Sequence, residues 1–272
     1  MKTYKLFVDG GGTSTKVYLT DPQHNILETK VFAGMNIQQG VNKILQTVQE
    51  IKDYFTNNFE EIYLGMPGVH EFQAKPEIIK IFASVCQNTQ IVTDIEVQEH
   101  LFITEASYYM LCLGSGTIMI EKDQQHKKFL NGFGPMFQDD GSAFKFAQNF
   151  IAKALVDWQN NISSNYVNYV YDFFKTNDME KVKLIYQNWN DIKPILLSFS
   201  KELLTEKNQA YSSEIKAILQ QNFEQFFTYF DKVKINPNIK KVYIFGGLFK
   251  SDFYRECFNQ AFQSRGLTPI FN

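Results

Sequence analysis

Two stretches of the sequence, about 105 residues apart, follow one plan, and that repetition limits the possible folds more than any other feature of the chain. The first is an apolar run, Tyr4 to Val8, closed by Asp9. Gly10-Gly11-Gly12-Thr13-Ser14-Thr15-Lys16 follows, and then a second apolar run, Val17 to Leu19. The second stretch is Tyr108 to Leu113, then Gly114-Ser115-Gly116-Thr117, then Ile118 to Glu121. Apolar runs joined by glycine and hydroxyl residues predict hairpins. A hairpin turn needs one or two glycines, and three behind a carboxylate exceed that need. Glycine admits φ > 0 and close approach of another group, and successive N–H groups in such a turn form a concave anion site. Asp9 would repel a phosphate directly but can hold a Mg2+ ion, or its water, between the two.

Two familiar phosphate motifs do not fit. A P-loop runs from strand into helix with lysine directly after its last glycine, whereas Lys16 stands four residues after Gly12 and another strand follows. A dinucleotide fingerprint also opens a helix, and none is expected here. A hairpin that grips phosphate remains. Two such turns, one per lobe, would hold a nucleotide in a cleft whose closure expels water.

The flanking pattern predicts a duplicated α/β architecture. Strands are expected over Tyr4–Val8, Lys16–Thr20 and Ile26–Phe32, followed by a helix from Gln38 to Phe55, where apolar residues recur at helical spacing. A strand over Glu61–Gly65, a helix over Pro76–Cys86, a strand over Gln90–Thr93 ending in Asp94, and a helix over Ile95–Thr104 complete a first lobe, 1–107. The second lobe, 108–272, restarts with three strands, the third at Lys127–Leu130. It carries a helical segment over about 141–232, with most of Val167–Phe230 helical and polar breaks near Asn177 and Asn208, and closes with a strand at Lys241–Phe245, a helix at Asp252–Gln263 and a strand at Pro269–Phe271.

Composition narrows the partners. With 27 basic and 29 acidic residues the net charge is −2, which removes the electrostatic reason to expect nucleic acid or an anionic membrane. The 26 phenylalanines and 14 tyrosines show no basic stripe beside them and are expected in the core. Cys86, Cys112 and Cys257 are too widely spaced for a disulfide framework or a zinc pattern. The four histidines lack metalloprotease or triad spacing. The N-terminus enters a strand at once, without a signal-peptide core, and no apolar run reaches membrane-span length. A cytoplasmic protein is the expectation.

Five islands then match a family in order: Val8–Thr13; Met35-Asn36; Val92–Asp94; Leu113–Thr117 with Gly132–Ser142; and Phe245–Ser251. The chain resembles the N-acetylglucosamine kinase group of the BadF/BadG-type ATPase family. That resemblance implies a two-lobe actin-like ATPase (ribonuclease H-like) fold with duplicated βββαβα units and a helical insertion in the second lobe. It also implies ATP and Mg2+ as cofactors and an amino sugar as substrate, and the fold is often dimeric. Asp9 would bind the Mg2+ of MgATP through water. Gly10, Gly11, Gly12 and Thr13, with Ser115 and Gly116, would hold the phosphates, and Gly247 and Ser251 would lie against the adenosine. Asn36, Gly68, Thr117, Gly132, Phe133 and Asp139 would line the sugar site. Asp94 falls where the family keeps its catalytic carboxylate. Its alternative role is a helix N-cap ahead of Ile95.

The resemblance has departures. Phe133, Gln138 and Asp140 stand where the family usually has tryptophan, glycine and glutamate, and Ile118 replaces a polar side chain. Ile95-Glu96 follow Asp94 where small residues are preferred, and relatives continue past the position of Asn272 into a Gly/Ala-rich helix. A sugar kinase acting on the 6-hydroxyl of N-acetylglucosamine or a related amino sugar is the leading expectation. A non-catalytic sugar- or nucleotide-binding member and an ATPase activator of a dehydratase are the alternatives.

Overall fold

In β1 (Tyr4–Gly10), Leu6 and Val8 enter one hydrophobic cluster while Phe7, between them, enters another. A strand apolar on both faces belongs in the middle of a sheet, and β1 lies there. These coordinates come from a computed structural model that describes residues 3–11, 14–35, 40–66, 68–69, 72–134, 137–185, 189–205 and 212–272. The chain divides into two compact units, Met1–Thr104 and Glu105–Asn272.

Among the described residues, unit 1 contains β1, β2 (Ser14–Thr20), β3 (Ile26–Ala33), α1 (Val41–Tyr54), β4 (Phe59–Gly65), α2 (Lys75–Phe82), β5 (Thr89–Val92) and α3 (Asp94–Phe102). The sheet order is β3-β2-β1-β4-β5. β1 runs antiparallel to β2, with Asp9 opposite Lys16, and parallel to β4. One face is filled by Leu6, Val8, Ile62 and Leu64 together with buried residues of α1 and α2. The other face holds a small cluster, Phe7, Tyr18, Tyr63, Val97 and Leu101, the last two from α3.

Unit 2 contains β6 (Ser107–Leu113), β7 (Thr117–Asp123), β8 (His126–Phe129), α4 (Ala143–Gln159), α5 (Asn165–Phe174), α6 (Met179–Ile185), α7 (Trp189–Leu203), α8 (Ser212–Phe230), β9 (Lys241–Phe245), α9 (Asp252–Ser264) and β10 (Thr268–Phe271). Its sheet order is β10-β9-β6-β7-β8. Counted within each unit, both sheets read third, second, first, fourth, fifth strand, so the duplication extends to topology. The helices α4 to α8 occupy the place that α1 holds in unit 1. Their aromatic residues, with those of α9, form one continuous core that includes Phe150, Phe199, Phe226, Phe258 and Phe262. No helix among the described residues is long and apolar enough to cross a membrane.

Several expected boundaries shift. Helix α2 stops at Phe82 rather than Cys86, and α3 starts at Asp94 rather than Ile95. Thr117 is the first residue of β7, paired with Leu113, rather than the last of the turn. The helices expected over Val167–Phe230 begin at Asn165; the break expected near Asn177 falls between α5 and α6, and Asn208 lies outside the described residues.

Candidate active site

Within each unit, described residues singled out from the sequence lie at the C-terminal ends of the parallel strands, where α/β sheets bind ligands. In unit 1, Asp9 is the penultimate residue of β1 and Asp94 follows β5. The turn after Asp9 is drawn tight: Gly11 N–H donates to Ser14 O at 3.0 Å, and Met35 N–H donates to Gly11 O at 2.9 Å. A Cβ on Gly10 would lie 2.3 Å from Met35 Cε and 2.5 Å from Gly65 O, so β1 approaches the Gly65 carbonyl there only because Gly10 carries no side chain.

Helix α3 begins with a capping box. Glu96 N–H donates to Thr93 Oγ1 at 3.2 Å, and Thr93 N–H donates to Glu96 Oε2 at 2.9 Å. The N-cap is therefore Thr93. Asp94 is the first helical residue, and its expected alternative role as the cap is corrected. Gly65 lets α3 approach β4, because a Cβ there would stand 2.4 Å from Val97 Cγ2 and 2.7 Å from Thr93 O.

One turn beyond Asp94, Gln98 Nε2 donates to Asp9 Oδ2 at 2.5 Å. Burial, and then the charge of Asp94, push the Asp9 carboxyl up to about 6, against the Gln98 hydrogen bond and the Lys16 ammonium. Burial also raises Asp94, against backbone N–H groups of Ile95 and Asp94 itself, while Glu96 adds to the rise. Two carboxylates that repel each other across a half-buried site form a natural seat for a cation.

No group of three or more His, Cys, Asp or Glu residues among those described is arranged as a metal cage. Mg2+ keeps several waters and binds through one or two carboxylates plus phosphate oxygens, and carboxylates are what Asp9 and Asp94 offer. None of the three cysteines is in a disulfide; Cys86 is buried and Cys112 and Cys257 are half-buried.

In unit 2 the turn after β6 is closed by Gly114 N–H donating to Gly116 O at 3.0 Å. Thr117 Oγ1 donates to Asp140 O at 2.8 Å and to Asp139 O at 3.2 Å. Asp139 is buried with φ 73°. Its carboxylate lies against the turn, since a Cβ on Gly116 would be 3.0 Å from Asp139 Oδ2. Burial raises the Asp139 carboxyl, while the Thr117 backbone N–H hydrogen bond lowers it. Ser115 is exposed on the turn.

The departures noted in the sequence have local partners. Ile118 fills the space beside Gly132, whose φ is 111° and where a Cβ would lie 2.7 Å from Ile118 Cγ1. Gln138 donates to Tyr229 Oη at 2.5 Å and accepts from Phe133 N–H at 3.3 Å, tying the loop to α8. The Phe133 ring is 66% exposed, so it is not a core residue.

Gly246, with φ 124°, brings the turn after β9 against Leu113 O, which a Cβ would approach to 1.9 Å. Gly247 has open space around it. Ser251 is the N-cap of α9 and accepts from Tyr254 N–H at 3.4 Å. Gly68 lies three residues past the end of β4 in a left-handed conformation, φ 73°. Gly12, Thr13 and Asn36 lie outside the described residues.

Sequence reasoning missed Gln98, for which the i, i+4 spacing from Asp94 was the one signal available. It also missed a buried network behind Asp139. Gly141 N–H donates to Asn222 Oδ1 at 3.2 Å, Asn222 Nδ2 donates to Ser142 O at 3.1 Å, and Tyr254 Oη donates to Gly141 O at 2.7 Å. No pattern in the sequence announces it.

The chain is similar over nearly its whole length to solved structures. A candidate N-acetylglucosamine kinase of Porphyromonas gingivalis gives a TM-score of 0.71 at 17% identity, covering 98% of this chain and 94% of that one. Another candidate N-acetylglucosamine kinase, from Chromobacterium violaceum, gives 0.66 at 19% identity with coverage of 98% and 94%. A ROK family glucokinase of Streptomyces griseus, in complex with glucose and AMPPNP, gives 0.56 at 11% identity with coverage of 98% and 94%. No family model and no curated protein matches the chain. At these identities the likeness defines the fold: two units, each with a five-stranded mixed sheet in the same order, as in actin-like ATPases.

Proposed function

We propose that the chain is an ATP-dependent sugar kinase that phosphorylates the 6-hydroxyl of N-acetylglucosamine or a related amino sugar. The observation that carries this reading is the pair Asp9 and Asp94, half-buried at the ends of β1 and β5 beside a glycine turn, with the charge of Asp94 felt at Asp9. Phosphoryl transfer to an alcohol asks little covalent chemistry of a protein. It asks for alignment, charge stabilisation and a group that accepts the hydroxyl proton. MgATP would supply the phosphoryl group and part of the charge neutralisation.

Asp9 would hold the hydrated cation. Gly10, Gly11, Gly12, Thr13, Ser115 and Gly116 would present N–H and hydroxyl donors to phosphate, and Gly247 and Ser251 would border the adenosine. Asp94 would take the proton from the attacking hydroxyl, and burial that lifts its pKa strengthens it as a base. Asp139, fixed by the Thr117 N–H, would accept from sugar hydroxyls. The Phe133 ring would cover an apolar sugar face, with Asn36, Gly68, Thr117 and Gly132 completing the site. The names borne by the two candidate N-acetylglucosamine kinases support the substrate class.

The test is ADP release from MgATP with a panel of hexosamines. Asp94→Asn is expected to lower kcat by about 10²–10⁴ with the fold intact. Unchanged turnover would remove Asp94 from the mechanism. A second reading, ligand binding without turnover, is favoured by Ile118, an apolar side chain packed beside Gly132. Calorimetric sugar or ATP binding with no ADP release would select it.

A further inference from the structure

Gln98 lies outside every motif that carries the resemblance, yet it makes the one side-chain hydrogen bond to Asp9 seen among the described residues. A carboxylate turns readily about its last torsion, which is broad and roughly two-fold. The 2.5 Å bond from Gln98 Nε2 engages Oδ2 and stops that rotation, so Oδ1 is the oxygen left for a hydrated cation. The donor is also neutral. A lysine or arginine at this place would hold the carboxylate equally well but would cancel the charge that a cation needs. Lys16, opposite Asp9 in the hairpin, is exposed and leaves that charge largely intact.

Asp94 and Gln98 are one helical turn apart on α3, and residues at that spacing share a face. Val97, between them in sequence, is buried against the sheet and packs where Gly65 lacks a side chain. One rigid element therefore carries both the proposed proton acceptor and the group that orients the cation-bearing carboxylate.

We propose that Gln98 is a positioning residue that holds the Asp9 carboxylate in the orientation required by a nucleotide-bound divalent cation. The proposal rests on the kinase reading of the same site, and its test separates the two. Calorimetry measures the affinity for ADP with and without Mg2+, and the ratio of the two is the readout. In Gln98→Met, which keeps the length and loses the donor, the Mg2+ advantage is expected to fall about tenfold. Affinity for Mg2+-free ADP should stay unchanged. Gln98→Lys keeps a donor and adds a competing charge, and should lose the advantage to at least the same extent, which serves if Gln98→Met fails to fold. A purely structural role would lower the melting temperature and leave the ratio alone. A wild-type ratio preserved in the variants overturns the role of Gln98 only, whereas a wild type with no Mg2+ advantage overturns it together with the kinase reading.

Discussion

Asp9 shows how a side chain of the candidate site can work against the fold that holds it. Its carboxyl titrates near 6 instead of the ordinary 3.8 because burial and Asp94 disfavour its charge. A folded-state pKa above the unfolded one means that the native state binds the extra proton between those values. The contribution of Asp9 to stability is therefore present below about pH 4 and is lost as pH rises through 6, up to about 3 kcal/mol at 1.36 kcal/mol per unit. Asp94 and Asp139 shift in the same direction. Between pH 4 and 7 the wild type should lose stability relative to Asp9→Asn, and thermal melts across that range measure the difference. Parallel pH curves for the two proteins would contradict the assignment. Asp9 stood out in the sequence because a carboxylate ahead of three glycines is more than a hairpin turn needs. Gln98 did not, since a glutamine on a short amphipathic helix has the composition of any solvated face. Thr93 falls between these cases: Thr93-x-x-Glu96 is a readable capping signature, yet Asp94 drew attention as the candidate cap.

Among the elements, α8 and α9 have an effect beyond packing. Asn222 of α8 and Tyr254 of α9 hold the backbone of Gly141 and Ser142, two and three residues after Asp139. Tyr254 is also one turn into the helix capped by Ser251. Removing its hydroxyl in Tyr254→Phe leaves a buried carbonyl short of a partner, at a cost of about 1–3 kcal/mol. Denaturant unfolding should register that loss, and sugar affinity should fall more than ATP affinity if the network acts through Asp139. The helical mass of unit 2 was readable from apolar periodicity, and so was the break between α5 and α6, because polar residues around Asn177 interrupt the apolar pattern there.

Across the whole molecule, the duplication stands out in the sequence because each unit must restart with three strands around a glycine turn. Strand order came from the structure, with the first strand central in both sheets. So did the depth of the cores. Unit 2 has one broad aromatic core, while the face of the unit 1 sheet beneath α3 is filled by five buried side chains, Phe7, Tyr18, Tyr63, Val97 and Leu101. Local opening is easiest where few apolar contacts oppose it. On warming, α3 should detach from its sheet before the remaining structure melts, taking Asp94 and Gln98 with it. Catalytic half-life would then be shorter than the persistence of the circular dichroism signal, and coincident decay of the two would argue against early detachment. A preparation could thus look intact by spectroscopy while already inert, and the remedy would be firmer anchoring of one short helix rather than a stiffer protein throughout.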